Sequence, residues 1–166
     1  MASIGERGAR MEGFRDCLKS ERLRLLYDYW LRIRPAPDRL PGRAHLDPLD
    51  IPAILPWIIL FDMGQGPADT RYRLVGTQIV ERVGRDFTGR LLSEGYWGHD
   101  TDKVLEDYWA VAQAGRPELW QRRMVDREGI PHAYDYLLLP LASDGKRVDI
   151  LLAGVAFDVW IEENIL

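Results

Sequence analysis

The sequence predicts a mixed α+β domain: an amphipathic N-terminal helix, then short helices and one longer helix set among five strand-forming segments. Three observations carry that expectation. Apolar residues recur at helical intervals over 12–34. Five runs rich in β-branched, aromatic and leucine residues lie between glycine and proline turn signals. The last two runs flank Ser143-Asp144-Gly145-Lys146, and Asp-Gly is a strong hairpin signal because both positions tolerate positive φ.

In the leading helix, Phe14, Leu18, Leu25, Tyr29 and Ile33 form the stripe, widened by Leu26 and Trp30. Pro35 and Pro37 stop it, because proline lacks the helical N–H and restricts the residue before it. The proline-rich connector 35–56 follows, with at most one helical turn over 50–55. Strands are expected over 57–63 and 70–75, joined as a hairpin through Gly64-Gln65-Gly66-Pro67. Thr77 is placed to cap a short helix over 78–83 that Gly84 ends, and Asp100 to cap a helix over 101–114 that Gly115 ends. Three more strands are expected over 118–126, 132–141 and 147–159.

A two-residue Asp144-Gly145 loop sets Leu141 opposite Val148, Leu139 opposite Ile150, Leu137 opposite Leu152 and Asp135 opposite Gly154. On the other face it sets Leu138 against Leu151, Tyr136 against Ala153 and Tyr134 against Val155. Both faces are then apolar, so each needs a cover. The middle helices supply one, and the N-terminal helix, its own or a second subunit's, supplies the other. The resulting division is 1–34 helix with a flexible start, 35–56 connector, 57–159 core and 160–166 tail.

Composition narrows the class. One domain suits 166 residues, and 46% hydrophobic with 29% charged residues is a globular balance. The formal charge of −4 argues against a nucleic-acid coat. A single cysteine, Cys17, leaves no intrachain disulfide or cysteine cluster and fits a reducing, cytoplasmic setting; Cys17 itself reads as a small core or interface residue. No signal peptide is legible, and no apolar run is long enough for a membrane-spanning helix.

Arg71-Tyr72-Arg73-Leu74-Val75-Gly76-Thr77, followed by Val83-Gly84-Arg85-Asp86-Phe87-Thr88-Gly89-Arg90, resembles the hallmark stretch of the bacterial single-domain PAS family PAS_5. The proline-punctuated segment 40–56 resembles the lead-in of that family. The resemblance implies a five-stranded antiparallel sheet of order 2-1-5-4-3 with helices on one face and a hydrophobic cleft between them. It implies a sensory or signalling module and supplies no reaction.

The elements that line that cleft carry Tyr72, Phe87, Trp97, Trp109, Trp120, Tyr134 and Tyr136, and Met124 shares a strand face with Trp120. These eight are the candidate ligand-binding residues. Two readings stay open: an aromatic-lined pocket for a small ligand of unknown identity, or a core filled by its own rings. Of Arg122 and Arg123, one should point inward or under the leading helix, with Asp135 as its structural partner or an anionic ligand in its place, and Arg73, Arg85 and Asp86 read as a bracing cluster.

His45, His99 and His132 show no metal-ligand spacing, so neither metal nor haem is expected, and no flavin-reactive Gly-x-Asn-Cys-Arg stretch is present. Alternate strand facing separates His132 from Asp135, and no nucleophile lies beside a base, so no enzyme is expected. The expected partners are a second copy of the chain, bound through the N-terminal helix, and a separate signalling protein, with neither nucleic acid nor membrane.

Overall fold

The computed structural model describes residues 11–95, 100–126 and 128–157. Four helices, α1 (Met11–Phe14), α2 (Glu21–Arg32), α3 (Thr77–Val83) and α4 (Thr101–Ala114), accompany five strands. The strands are β1 (Ile58–Asp62), β2 (Arg71–Val75), β3 (Glu118–Val125), β4 (Pro131–Leu141) and β5 (Ile150–Ala156). They form one antiparallel sheet of order β2-β1-β5-β4-β3. The expected sheet is borne out.

Strand alternation divides the core in two. Ile58, Leu60, Leu137, Leu139, Leu141, Ile150 and Leu152 face one side, where Leu23, Leu26, Tyr27 and Trp30 of α2 lie on them. Ile59, Phe61, Tyr136, Leu138, Leu151, Ala153 and Val155 face the other side, covered from α3 and α4 by Ile79, Val104, Leu105, Tyr108 and Val111. A sheet apolar on both faces is stable only when each face is roofed. The chain's own α2 supplies the second roof.

Two local features bring α2 that close. An ideal Cβ on Gly154 would stand 2.5 Å from Cδ2 of Leu26 and 3.0 Å from Cδ2 of Leu23, so the bare backbone of β5 lets both leucines rest on it. The Trp30 indole N–H donates to the Pro140 carbonyl at 2.9 Å, which satisfies a polar group that burial would otherwise leave costly. The connector is tied to the same helix. Tyr29 Oη donates to the Asp47 carbonyl and accepts from the Asp47 N–H, at 3.2 and 2.8 Å, while Leu46, Ile51 and Ile54 enter the core beneath.

The N-terminal helix differs from expectation. Instead of one helix over 12–34, α1 and a 3₁₀ turn (Arg15–Cys17) are separated from α2 by an extended break at Leu18. The break turns Leu18 fully into the core, and Arg24 Nε donates to its freed carbonyl at 2.6 Å. Cys17 is exposed, so its reading as a core residue fails. The connector holds three 3₁₀ turns, Arg43–His45, Pro48–Asp50 and Leu55–Trp57, rather than one.

The register of β4 and β5 also differs. Leu141 pairs with Ile150, Leu139 with Leu152, Leu137 with Gly154, Asp135 with Ala156, Leu138 with Ala153 and Tyr136 with Val155. Pairing is displaced by two residues from the two-residue-loop expectation, so every side chain keeps its face but changes its partner. Hydrogen bonds in the loop explain the shift. Asp144 Oδ1 accepts from the N–H groups of Lys146 and Arg147, both at 2.8 Å, and the Asp149 carboxylate accepts from Ser143 N. These bonds stabilise a longer connection over 142–149, with Gly145 at φ 79°.

Thr77 is the first residue of α3 rather than its cap; Gly76 occupies the cap position and donates its N–H to the Ile58 carbonyl at 2.8 Å. Asp100 does cap α4, accepting from Lys103 N, and Gly84 and Gly115 end their helices in the left-handed conformation.

Gly76 gives the sharpest steric test. Its φ of −63° suits any residue, but an added Cβ would collide with the carbonyl carbon and oxygen of Pro56. Backbone cannot rotate away as a side-chain tip can. Gly76→Ala should therefore lower unfolding free energy by about 1–3 kcal/mol in urea titration; an unchanged midpoint would show that the corner between β2 and α3 yields freely.

Candidate functional site

The expected cleft lies between α4 and the sheet face carrying Tyr72, Trp120, Tyr134 and Tyr136. Tyr72, Phe87 and Tyr136 are buried in that core, with Trp109, Trp120 and Tyr134 half-buried at its margin. Met124 pairs with His132 near the distal end of β3 and is half-buried outside the cluster. Trp97 lies outside the described residues, as does His99.

The rings form a continuous chain. Phe87 meets Tyr72 at 5.5 Å between centroids, Tyr72 meets Phe61 at 5.1 Å, and Phe61 meets Tyr108 at 5.0 Å. Tyr108 then reaches Trp120 at 5.2 Å and Tyr136 at 6.3 Å, both edge-on, and Tyr136 continues through Tyr134 to Phe157. Offset and edge-to-face contacts of this kind add to the area buried.

Tyr108 and Phe61 are the residues that sequence reasoning missed. The helical face of α4 buries Val104, Leu105, Tyr108, Val111 and Ala112, which puts Tyr108 inward and leaves its neighbour Trp109 at the edge. The one-residue difference is a rotation of about 100° around the helix. Tyr108 Oη donates to Tyr136 Oη at 3.0 Å across the space between helix and sheet, so the two phenols join what faces them.

Comparison with known proteins adds the family. A family model described as the PAS domain matches residues 18–155. The chain belongs to the PAS domain family. Among solved structures it is similar to the LOV protein of Rhodobacter sphaeroides, with TM-score 0.50 at 15% identity over 67% of this chain and 68% of that one. The N-terminal domain of a diguanylate cyclase with a PAS/PAC sensor from Marinobacter aquaeolei gives 0.46 at 13% identity, over 61% and 95%. The PAS domain of the fruit-fly ELK potassium channel gives 0.47 at 13% identity, over 62% and 86%. The search of curated proteins returned no match. At such identities the structural likeness concerns the fold, and the family is one of sensory signalling modules.

In this PAS domain the two halves of the hallmark stretch meet each other. Tyr72 N donates to the Arg90 carbonyl, Gly89 N to the Tyr72 carbonyl and Leu92 N to the Thr70 carbonyl, so the segment after α3 seals the free edge of β2. Thr88 Oγ1 accepts from Val75 N, and Asp86 Oδ1 accepts from Thr88 N; the Thr88 side chain, and after it this backbone N–H, hold the Asp86 carboxyl below its ordinary range. The expected brace among Arg73, Arg85 and Asp86 is replaced by others. A bulge between Leu60 and Phe61 leaves Arg73 out of the ladder and beside Asp62 at 2.9 Å, while Arg85 lies over the Phe87 ring at 5.0 Å.

Asp135 does not face Arg122, the arginine on the α4 side. Arg122 shares the Trp120 face, lies 4.4 Å over that indole and approaches Asp107 of α4 at 3.9 Å. Asp135 sits opposite Gln121 on the α2 side of the sheet, so strand alternation separates it from Arg122.

Two histidines, His45 and His132, serve turns. His45 Nδ1 accepts from Gly42 N at 2.9 Å. His132 stands between Arg82 and Asp126, its Nε2 2.7 Å from Asp126 Oδ2 and its Nδ1 3.4 Å from Arg82 Nη1. A guanidinium can only donate, so Nδ1 accepts and Nε2 carries the proton that goes to Asp126. Asp126 Oδ1 accepts from the N–H groups of Ile130 and Glu128, and these bonds with that of His132 hold its carboxyl below the usual range.

Two predictions come from this site. Tyr108→Phe removes one buried hydrogen bond and should cost about 1 kcal/mol, whereas Tyr108→Ala empties the ring's volume and should cost about 3–5 kcal/mol. Equal, near-zero losses in denaturant titration would show the space already open. Second, folding lowers the Asp126 pKa, so its stabilisation is complete above the unfolded value of about 3.9 and is lost as pH falls through the lower folded value. The stability gap between the parent and Asp126→Asn should therefore close on acidification; a gap that widens towards acid contradicts the assignment.

Proposed function

We propose that this PAS domain is a non-catalytic signalling module that works through contacts with other proteins, including a second copy of itself, with the space between α4 and the sheet filled by its own aromatic residues. The observation that carries the reading is Tyr108, 1% exposed, wedged among Phe61, Trp120 and Tyr136 with its hydroxyl on the Tyr136 hydroxyl. A cofactor-sized ligand in that cleft has to displace this ring. A reducing, cytoplasmic setting is supported by the lone cysteine, and among the described residues no helix is long and apolar enough to cross a membrane.

Dimerisation through the segment 1–34 is supported by Leu25, 49% exposed on the outer side of α2, where its neighbours Leu23 and Leu26 are spent on the chain's own sheet. The second reading is a sensor that holds a small ligand at the mouth of the cleft, among Trp109, Trp120, Met124 and Tyr134. The partial exposure of those four residues favours it. Tyr72, Phe87 and Tyr136, buried behind them, complete its proposed site among the described residues.

Native mass spectrometry of gently purified protein separates the readings. The first expects the bare polypeptide mass; a retained small molecule supports the second. Light scattering on the same sample should report a dimer that Leu25→Glu converts to monomer, and a parent monomer would remove the self-association.

A further inference from the structure

A different place in the molecule concentrates charge. The β4–β5 connection, the C-terminal end of α4 and the start of the connector enclose a hollow of about 490 Å³. Arg34, Arg39, Arg116, Lys146 and Arg147 line it, against one acidic lining residue, Asp38. The chain as a whole carries a formal charge of −4, so this gathering runs against its overall balance. Among the described residues, none of the five cations is ion-paired, whereas Arg15, Arg73, Arg90 and Lys103 each have a carboxylate within 3.2 Å. Asp38 and the neighbouring Asp144 carboxylate offset only part of this charge; the remaining like charges repel one another, and a bound anion relieves that cost.

The rim is held in place by the backbone. Leu40 N donates to the Gly145 carbonyl at 3.0 Å and Ala142 N to the Pro41 carbonyl at 2.9 Å. Arg34 Nε donates to the Arg39 carbonyl at 3.2 Å and Arg39 Nη1 to the Asp144 carbonyl at 3.3 Å. The nearby Asp144 carboxylate is engaged by the N–H groups of Lys146 and Arg147, which holds it ionised below its ordinary range and fixes those two residues in the rim. An anion arriving here meets cations from two chain segments already tied together, the connector and the β4–β5 connection, with Arg116 added from the end of α4, so less ordering entropy opposes binding.

We propose that this hollow binds a small molecule bearing several phosphates and an aromatic group, as a nucleoside polyphosphate does. Four guanidiniums and one ammonium exceed what a single carboxylate neutralises, and the guanidinium fork matches phosphate oxygens in pairs. Trp109, half-buried on the same wall with Ala112 and Val148, offers an apolar face for a ring. The site goes beyond the function proposed above and does not depend on whether the aromatic cleft is filled, because it opens at the outer end of α4.

The test is calorimetric titration of the full chain with magnesium-free ATP, and with tripolyphosphate in parallel. The variants are Arg116→Gln and Arg147→Gln, both exposed in the hollow, and Arg123→Gln, exposed on β3 away from it and removing the same charge. Binding that weakens roughly tenfold or more in each hollow variant, as loss of a charged hydrogen bond implies, and stays unchanged in Arg123→Gln, is the expected result. Affinity for ATP should exceed that for tripolyphosphate. Absence of ATP binding, or equal loss in all three variants, overturns the site, and equal affinity for the two anions overturns the aromatic half of the assignment. A folded protein with a filled cleft that fails this titration refutes the hollow alone.

Discussion

The central pair of strands, β4 and β5, is apolar on both faces, and the placement of other elements follows from covering them. Leu137, Leu139 and Leu152 on one side and Leu138, Leu151 and Ala153 on the other are fully buried. A one-sided sheet would leave one set in water, at roughly 1.5–3 kcal/mol for each large side chain. The helix α2 is therefore as much a part of the domain as α4. Gly154 and the Pro140 carbonyl are the points at which the sheet receives it.

That double roof leaves the central strands packed on both sides. The sheet lies between the two cores, and the side chains of β4 and β5 alternate between them, so these strands are packed against both roofs at once. Close-packed interiors transmit displacements instead of absorbing them. The hollow lined by Arg34, Arg39, Arg116 and Lys146 touches both roofs at one edge, at the end of α2 and the end of α4.

The aromatic chain on the α4 side has a parallel logic. Rings bury large areas, and their polar tips need partners; the Tyr108 and Tyr136 hydroxyls meet each other. The hallmark stretch contributes less to a pocket than to an edge: residues 88–92 cover β2, and Tyr72 and Phe87 anchor the flap to the core. Motif residues thus read as sheet protection in this chain, with the ring contacts as their inner side.

By itself the sequence determined the α+β class, all five strands, the Asp100 cap, the glycine ends of α3 and α4, and the need for a cover on each sheet face. Those features rest on periodicity, turn chemistry and capping, which act over a few residues. Through the hallmark residues it also determined the family. Tertiary structure decided what depends on distant partners. The break at Leu18 arises because the sheet rewards burying that side chain over continuing a helix, and the two-residue register shift arises because Asp144 and Asp149 bind loop N–H groups. Tyr108 rather than Trp109 enters the core because the rotation of α4 is set by all five of its buried residues together. Local patterns cannot fix such outcomes, since each is a competition between contacts far apart in the chain.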